Sequence, residues 1–361
     1  MAARAALQPG ETIGIIGGGQ LGRMLAIAAA RLGYRTATFD PDRSCPAAQV
    51  ANLHVAAAYE DEAAIADFAA ACEIVTYEFE NVPVSTATAA ARHAPVRPGP
   101  RALETAQDRF VEKAFLNRIG IATAPFAAVS GPEDFAAALR ATGTPAILKT
   151  RRLGYDGKGQ ANIDTPESLA GAFSGLSEAS AILEKRIAFA CEISVIAARG
   201  LDGDFAAYDP PKNLHRDGIL RSSTVPAGIA AEIANSAIEA ARALLESLEY
   251  VGVAGIEFFV TQDDRLLANE FAPRVHNSGH WSEAACIVSQ FEQHVRAIAG
   301  LPLGTVARHS DCVMENLIGD EIARLPDLLA QPDCVVHHYG KAEVRPGRKM
   351  GHFTRLIALA R

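Results

Sequence analysis

The sequence lacks several features that would point to a membrane or a nucleic acid. No apolar run in its 361 residues approaches the roughly 20 residues that a membrane-spanning helix needs. Basic residues are not in excess, since the formal net charge is -8, and this argues against a general nucleic-acid binder. A local cluster of Arg and Lys can still hold a small anion in an acidic protein. We therefore expect neither a membrane nor a nucleic acid as a partner.

Cysteine spacings typical of disulfide frameworks or zinc sites are also absent. The six cysteines are scattered, with no Cys-x-x-Cys, which favours reduced and mostly buried thiols. The first eleven residues contain no apolar segment long enough for a secretory signal. We expect residues 1–11 to form a disordered lead-in and the protein to be cytoplasmic. The length suggests two or three domains.

The N-terminal hundred residues alternate predicted strands with predicted helices. Ile13–Ile16 is β-rich, the glycine-rich run 17–22 and an Ala-rich helix follow, and the strand Arg35–Phe39 ends at Asp40. The glycines match G-x-G-x-x-G with an acid 18 residues later, a pattern typical of dinucleotide-binding sites. Any tight strand-to-helix turn near a phosphate needs such glycines, so the motif alone does not decide the ligand.

Two acidic residues follow the next predicted strand, Ile74–Tyr77. Glu78 and Glu80 lie at its carboxyl end, where open α/β sheets bind ligands. The alternative is that one of them caps the helix after Pro83, and for Glu80 the two interpretations are about equally favoured. Three prolines then mark a domain boundary near residue 100, namely Pro95, Pro98 and Pro100.

A lysine and a second glycine-rich loop distinguish the middle of the chain. A helix is predicted over 105–120, and the strand Pro145–Lys149 carries a lysine at its end. Residues 154–160 contain three glycines, which is typical of a flap that closes over phosphates and equally of a β-hairpin turn. The Walker pattern is absent, so a P-loop protein is excluded. Further along the chain, backbone groups of Lys185 and Ile187 are suited to hydrogen-bond the edge of an adenine ring.

The densest polar run follows the predicted strand Leu266–Ala268. Pro273 cannot continue a central strand because it lacks an amide donor. Within seven residues come Arg274, His276, Asn277, Ser278 and His280. Together with Glu270, these groups suit anion and metal chemistry, and a solvated loop with capping Asn and Ser is the simpler alternative.

Taken in order, these motifs resemble those of ATP-grasp enzymes, and more closely the 5-(carboxyamino)imidazole ribonucleotide synthase family of purine biosynthesis. The similarity extends from about residue 12 to the end of the chain. The most specific string is His-Asn-Ser-Gly-His-Trp, and the N-terminal glycines are the least specific. The supporting strings are GGGQLG (17–22), YEFENVP (77–83), QDR (107–109), GYDGKGQ (154–160), NLHRDGIL (213–220), NEFAPRVHNSGHW (269–281) and PGRKMGH (346–352).

The resemblance implies a ligase that uses ATP, Mg²⁺, bicarbonate and 5-aminoimidazole ribonucleotide, and it implies a role for each of several residues. The implied ATP site comprises Arg109, Lys149, Gly154, Tyr155, Asp156, Gly157, Lys158, Gly159, Gln160, Glu184, Lys185, Arg186, Ile187, Glu192, His215, Asn269 and Glu270. Magnesium would be held by Glu257 and Glu270. The ribonucleotide would contact Gln20, Leu21, Glu78, Tyr155, Asp156, Lys341, Arg348 and Lys349. Bicarbonate would meet Arg274, His276 and Asn277. Histidine is suited to accept the proton of the amine near neutral pH, which makes His276 or His280 a candidate, and a packed or metal-shell histidine is an equally common alternative.

The expected fold combines α/β and α+β parts. An open parallel α/β domain over 12–105 precedes an ATP-grasp domain over 106–300, whose small lid spans about 125–195. A small C-terminal domain over 301–361 is expected to pack on the N-terminal domain, and the family resemblance suggests a homodimer.

Three rival functions are open at this point. A nicotinamide dehydrogenase would use the run 17–22 and Asp40, but it leaves Lys149 and the polar run after Leu266 unexplained. A non-catalytic nucleotide sensor would keep only the ATP residues. The formate-using glycinamide ribonucleotide transformylase, or another ATP-grasp carboxylate–amine ligase, shares the layout but is not expected to carry His-Asn-Ser-Gly-His-Trp.

Overall fold

The computed structural model describes residues 6–154, 159–177 and 179–359. The N-terminal part is a four-stranded parallel sheet in the order β3-β2-β1-β4. Three of its four strands are buried along nearly their whole length, because helices cover such sheets. The strands are β1 (Thr12–Ile16), β2 (Arg35–Phe39), β3 (Leu53–Val55) and β4 (Ile74–Tyr77). The helices of this part are α1 (Gln20–Arg31), α2 (Glu62–Ala70), α3 (Val84–Ala90) and α4 (Pro100–Ala106).

Helix α5 (Arg109–Arg118) leads into a second, four-stranded antiparallel sheet, which we call the lid sheet. Its order is β5-β8-β6-β7, and it has a small core of its own that includes Leu148, Phe173 and Leu183. The strands are β5 (Phe126–Val129), β6 (Ala146–Thr150), β7 (Gln160–Ile163) and β8 (Ala181–Lys185). The helices are α6 (Phe135–Thr142) and α7 (Ser168–Gly175), and a 3₁₀ turn spans Pro132–Asp134.

The third sheet has nine strands, and its described pairings are all antiparallel. Its order is β14-β13-β9-β11-β12-β15-β17-β16, with β10 beside β9. The strands are β9 (Phe189–Arg199), β10 (Phe205–Ala207), β11 (Lys212–Arg216), β12 (Ile219–Val225), β13 (Gly252–Thr261), β14 (Leu266–Ala272), β15 (Asp311–Ile318), β16 (Cys334–His338) and β17 (Lys349–Ile357). The helices are α8 (Ala231–Ser247), α9 (Ser282–Ala285), α10 (Gln290–Ala299) and α11 (Leu325–Leu329), with 3₁₀ turns at Asn277–Gly279 and Gly319–Arg324.

Helix α10 joins the N-terminal sheet to the nine-stranded sheet. Ile13 of β1 and Phe291 of α10 belong to one buried cluster. His294 accepts a hydrogen bond at Nδ1 from the Val253 N–H at 3.0 Å, so its Nε2–H is the donor to Thr76 Oγ1 at 2.9 Å. Burial lowers the pKa of His294 to about 3, and the neutral ring therefore links strands β4 and β13.

Four details differ from the sequence-based expectations. Of the expected disordered lead-in, residues 1–5 lie outside the described residues. Residues 6–11 are ordered, because the Leu7 N–H donates to Ala299 O at 2.9 Å and Leu7 O accepts from the Tyr34 hydroxyl at 3.0 Å. The helix expected over 105–120 is interrupted, so that α4 ends before α5 begins. Asp108 caps α5 by accepting a hydrogen bond from the Phe110 N–H. The lid ends before β9, which pairs within the nine-stranded sheet. The C-terminal strands extend that same sheet, because β15 pairs with β12, but they also contact the N-terminal part as expected, since Gln49 Nε2 donates to Gly340 O at 2.8 Å.

Among the described residues, no helix is both long enough and apolar enough to cross a membrane.

Candidate active site

A cleft of about 330 Å³ lies between the lid sheet and the nine-stranded sheet. It brings together residues from all three parts of the chain, which are separated by up to several hundred positions in sequence. Of the residues predicted for the site, those that line it are Gln20, Leu21, Arg109, Lys149, Gly154, Gln160, Glu192, His215, Glu257, Asn269, Glu270, Arg274, His276, Asn277 and Lys349.

Two carboxylates form the floor of this cleft. Glu257 of β13 and Glu270 of β14 are paired in register, so both side chains lie on the same face of the sheet. Burial, together with the charge of Glu270, raises the pKa of Glu257 to about 7. Burial alone would also raise the pKa of Glu270, but Arg109 at 2.6 Å and two nearby lysines lower it to about 2. Two adjacent hard oxygen donors fit Mg²⁺, which is usually held by one or two carboxylates and substrate phosphates.

A buried cluster of two lysines around Glu184 lies on the lid side. Glu184 Oε2 is 3.0 Å from Lys149 Nζ and 3.4 Å from Lys113 Nζ, and Lys113 also donates to Asn269 O at 2.9 Å. Burial raises the pKa of Glu184, but the two ammonium groups outweigh this effect and lower it. The Glu184 side chain therefore positions Lys149 at the cleft wall.

Lys113 was not predicted from the sequence. A lysine next to a glutamate in a helix is normally solvated, yet both Glu112 and Lys113 are buried here, and no local pattern indicates this.

Glu192 and His215 form a second polar pair at the cleft. They come from neighbouring strands, and Glu192 Oε2 is 2.8 Å from His215 Nδ1. Burial lowers the pKa of His215, but the hydrogen bond to Glu192 and the nearby carboxylates raise it overall. The pair offers both a donor and an acceptor to a ligand hydroxyl.

The segment that connects the lid to β9 lines a second cavity, of about 840 Å³, together with Leu267. The Lys185 and Arg186 amides donate to Pro125 O and Pro145 O at 2.8 and 3.0 Å. Within the described part of the chain, the Ile187 N–H makes no backbone hydrogen bond, so it remains available as a donor.

Arg274 is held by a carboxylate of the N-terminal sheet. Its Nε donates to Glu80 Oε2 at 2.5 Å, and Nη1 donates to Val275 O at 3.0 Å. Burial would lower the pKa of Arg274, but the Glu80 carboxylate raises it. Of the two roles considered for Glu80, the structure favours the site over the helix cap, because Glu80 lines the cleft and orients a guanidinium there.

A chain of buried hydrogen bonds sets the tautomer of His276. Asn213 Nδ2 donates to Ser194 Oγ at 3.0 Å, Ser194 and Ser278 hydroxyls are 2.6 Å apart, and Ser278 Oγ is 2.8 Å from His276 Nδ1. Asn213 Nδ2 can only donate, so the Ser194 hydroxyl accepts from it and donates to the Ser278 hydroxyl. The Ser278 hydroxyl donates in turn to His276 Nδ1, which is therefore the acceptor. The proton of His276 then sits on Nε2, 3.6 Å from Glu257 Oε1. Burial and the charges of Arg274 and Lys349 lower its pKa to about 3.

His280 lies behind the cleft rather than in it. The ring is fully buried, and Nδ1 accepts from Gln290 Nε2 at 3.0 Å. Burial lowers its pKa well below the usual value. A catalytic role is therefore incompatible with its position, and the expectation for His280 is corrected. Asn277 lines the cleft and exchanges two amide hydrogen bonds with Asn316, at 3.0 and 2.8 Å.

The N-terminal glycine loop is occupied by carboxylates of its own domain. Gly18 N–H donates to Asp40 at 2.8 Å, and the Gly19 and Gly22 amides donate to Glu78 at 2.7 and 2.8 Å. A dinucleotide pyrophosphate would meet two anions there, so the dinucleotide site is not supported. Glu78 does not line the cleft, which corrects its direct substrate role. It holds the loop that presents Gln20 and Leu21.

The C-terminal basic residues divide into two groups. Lys349 lines the cleft, and its carbonyl accepts from Lys341 Nζ at 2.7 Å. Arg348 donates to Glu343 O at 3.0 Å and is close enough to Asp42 to lower the pKa of that carboxyl, although the largest cause of that shift is Ser44. Neither Lys341 nor Arg348 lines the cleft.

Part of the predicted flap lies outside the described residues, namely Tyr155, Asp156, Gly157 and Lys158. Gly154 and Gln160 flank this segment and line the cleft. Gly154 O accepts from Arg109 Nη2 at 3.0 Å, and Gly159 has a φ of +69° that favours glycine.

Three family models match successive parts of the chain. The ribonucleotide synthetase pre-ATP-grasp domain matches residues 10–107, the ATP-grasp domain matches 114–291, and the phosphoribosylaminoimidazole carboxylase C-terminal domain matches 312–358. A curated relative from Brucella melitensis is 59% identical over 356 residues and covers 98% of each chain; it is named N5-carboxyaminoimidazole ribonucleotide synthase. The chain belongs to this family.

Two solved members of the family share the whole fold. An ADP complex of a family member has a TM-score of 0.94 at 41% identity and covers 97% of this chain and 93% of that one. A synthase from Aspergillus clavatus, solved with ADP and 5-aminoimidazole ribonucleotide, has a TM-score of 0.91 at 30% identity, with 97% and 94% covered. The expected family and fold class are confirmed, and the chain is an ATP-grasp ligase.

Proposed function

We propose that this chain carboxylates the exocyclic amine of 5-aminoimidazole ribonucleotide with bicarbonate and ATP, through carboxyphosphate, in purine biosynthesis. One observation carries the proposal. A carboxylate pair, a lysine, a guanidinium and a neutral histidine converge on a single cleft. The relatives that share this architecture along nearly their whole length are synthases of that reaction.

ATP is proposed to bind between the two sheets. The Ile187 N–H and Lys185 O would contact the adenine edge in the cavity near Leu267. The Glu192–His215 pair would hydrogen-bond the ribose hydroxyls, and Lys149 and Arg109 would contact the phosphates. Support comes from the lining of the two cavities and from the fixed position of Lys149 against Glu184.

Glu257 and Glu270 would hold Mg²⁺ together with triphosphate oxygens. Their donor atoms and adjacent register fit that ion. Burial first, and the charge of Glu270 second, raise the pKa of Glu257, so a cation bound between the two would favour its ionised form. The bound ion would supply charge neutralisation for the phosphates. Arg109, which neutralises Glu270 in the absence of ligand, would then contact the phosphates.

Bicarbonate is a poor electrophile and requires activation. A bicarbonate oxygen would attack the γ-phosphorus, the β–γ bridge would break, and ADP and carboxyphosphate would form. Carboxyphosphate would release CO₂ and phosphate, and the amine would add to CO₂ with loss of one proton. Phosphoryl transfer depends mainly on positioning and charge stabilisation, which Arg274 and Lys149 would provide. His276 would donate from Nε2 to the anion, because its pKa of about 3 makes it a poor base.

The ribonucleotide is proposed to extend from Gln20 and Leu21 toward Lys349, with its phosphate near Lys341 and Arg348. Support comes from the cleft lining for the first three residues and from family resemblance for the other two. We also keep cytoplasmic location, a homodimer and the domain limits 12–105, 106–300 and 301–361 as proposals.

An ADP-release assay tests the function. ADP should form only when ATP, bicarbonate and 5-aminoimidazole ribonucleotide are all present. Formate with glycinamide ribonucleotide should not replace them, and NADH should not be oxidised. ADP release with formate in place of bicarbonate would favour the transformylase, and ATP binding without turnover would favour a nucleotide sensor.

A further inference from the structure

Four buried polar atoms that have no hydrogen-bond partner among the described residues meet between helix α9 and strands β16 and β17. They are Glu283 Oε2 and the Nε2 atoms of His280, His337 and His352. Buried polar groups are almost always hydrogen-bonded, so four exceptions in one place indicate a site with its own ligand. None of the four side chains lines the cleft described above.

The strand register brings the two C-terminal histidines side by side. His337 and His352 are directly opposed on β16 and β17, and their rings stack at a centroid distance of 4.7 Å. Glu283 Oε2 is 3.6 Å from His337 Nε2, which exceeds a hydrogen-bond distance. The ligand atoms of Glu283, His337 and His352 all lie within 4.8 Å of one another.

The hydrogen bond that each histidine makes at Nδ1 decides whether its Nε2 atom offers a lone pair to an ion or carries a hydrogen. His352 Nδ1 is 2.8 Å from the Tyr339 hydroxyl, which can accept from Nδ1–H; in that tautomer the Nε2 lone pair faces the cluster. Gln290 is oriented by both backbone groups of His276, and its Nε2 donates to His280 Nδ1. His280 Nε2 therefore carries a hydrogen and serves as a donor beside the cluster.

We propose that Glu283, His337 and His352 bind one zinc ion, with water in the fourth position. Two imidazoles and one carboxylate are a zinc ligand set, and nitrogen donors disfavour Mg²⁺ and Ca²⁺. Ligands at about 2.0–2.2 Å from a tetrahedral ion lie roughly 3.3–3.6 Å apart, so the Glu283–His337 spacing already fits and His352 has to move by about 1 Å. One of the two rings also has to turn out of the stack on ion binding, because the planes now differ by only 11° and an ion lies in the plane of each ring that binds it. The His337 side chain is 26% exposed, which gives the ion a path of entry.

Zinc here would connect two parts of the molecule that shape the cleft. Glu283 follows the His276–His280 segment, and β17 carries Lys349. The ion would clamp the C-terminal strands to that segment and would stabilise the folded chain. It is separate from the proposed magnesium carboxylates, so it can be tested without turnover.

The test is zinc binding by the untagged full-length protein after treatment with a chelator. Bound zinc is measured by mass spectrometry, and affinity by competition with a chromophoric chelator. We expect one tight zinc per chain and an increase in Tm on zinc addition. Glu283→Gln and His337→Gln should each weaken binding at least about 100-fold. Tyr339→Phe, which removes only the positioning hydroxyl, should weaken it about 10- to 100-fold.

Two controls assign the site. His338→Gln changes the next histidine on β16, which is exposed and accepts from the Gly340 N–H at 2.9 Å, and it should bind zinc like the wild type. Glu257→Gln should also retain the tight zinc, because it alters only the cleft. Wild-type protein that binds no stoichiometric zinc overturns the proposal. Loss of zinc binding in Glu257→Gln or His338→Gln also overturns it. Retention of tight zinc in Glu283→Gln and His337→Gln, when circular dichroism shows these variants to be folded, overturns it as well.

Discussion

Replacement of Arg274 separates anion activation from nucleotide binding. The side chain is 14% exposed and is fixed by Glu80 at 2.5 Å, so its charge is preorganised at the cleft. In the proposed reaction, it stabilises the charge that develops on bicarbonate and carboxyphosphate. Arg274→Ala should lower kcat for ADP release by about 100- to 1000-fold, the range seen when one preorganised donor to a developing anion is removed.

The same change leaves Glu80 without its partner, so stability has to be measured alongside activity. Removal of one member of a fully buried ion pair costs about 3–5 kcal/mol, and the cost should be smaller here because the Glu80 side chain is 32% exposed. The double variant Arg274→Met, Glu80→Gln removes both charges. It should recover most of the free energy of unfolding and none of the lost activity.

The assay is steady-state ADP release with bicarbonate, ATP and ribonucleotide varied in turn. The KM for ATP should change little, since its proposed contacts come from Lys149 and Glu192. Arg242→Ala is a matched control, because this arginine lies on α8 and pairs with Glu239 at 3.5 Å. A folded Arg274→Ala protein that releases ADP at the wild-type rate would refute the reasoning.

Three further predictions concern other parts of the site. Glu270→Gln should lower kcat about 100-fold or more at saturating Mg²⁺, because it removes one of two proposed metal carboxylates; wild-type turnover would end that assignment. Arg348→Ala should raise the KM for the ribonucleotide about 10- to 150-fold, equivalent to about 1.5–3 kcal/mol for a charged hydrogen bond, and an equal rise for ATP would contradict the phosphate role. Ser278→Ala removes the hydroxyl that donates to His276 Nδ1 at 2.8 Å and leaves only the longer hydrogen bond from the Ser278 N–H at 3.4 Å, so kcat should fall about 2- to 10-fold, corresponding to roughly 0.5–1.5 kcal/mol; unchanged kcat in a stable variant would show that the hydroxyl is not needed to position His276.

The sequence predicted the regular elements of the N-terminal sheet closely. The strands Arg35–Phe39 and Ile74–Tyr77 have the predicted bounds. Each is a short run rich in β-branched and aromatic residues and bounded by polar or turn residues, which is the signature of a strand. The helix before Gly120 was less predictable, because the break at Asp108 depends on a cap whose partners lie in the next turn.

The glycine run at 17–22 illustrates why a local motif is ambiguous. The run fits a dinucleotide fingerprint because its tight turn requires glycines at those positions. Which group it binds depends on the side chains that face its backbone amides. Glu78, which occupies two of them, is 59 positions away from Gly19. Only the fold reveals that contact.

The composition of the cleft was predicted largely through family resemblance, and its finer contacts were not. The burial of Lys113 and the Asn213–Ser194–Ser278 chain depend on residues that are distant in sequence. His280 shares its motif with His276, but the environment of its ring is formed by strands β16 and β17, which begin more than 50 residues later. Spacing along the chain carries no information about such surroundings.

Transfer of oxygen from bicarbonate to phosphate tests the central claim most directly. In the proposed reaction, a bicarbonate oxygen becomes the bridge of carboxyphosphate and remains on phosphorus when CO₂ leaves. With ¹⁸O-labelled bicarbonate, ATP and 5-aminoimidazole ribonucleotide, mass spectrometry should find one labelled oxygen in the inorganic phosphate of each turnover. Phosphate without label, formed at the same rate as the carboxylated product, would contradict activation of bicarbonate in this cleft.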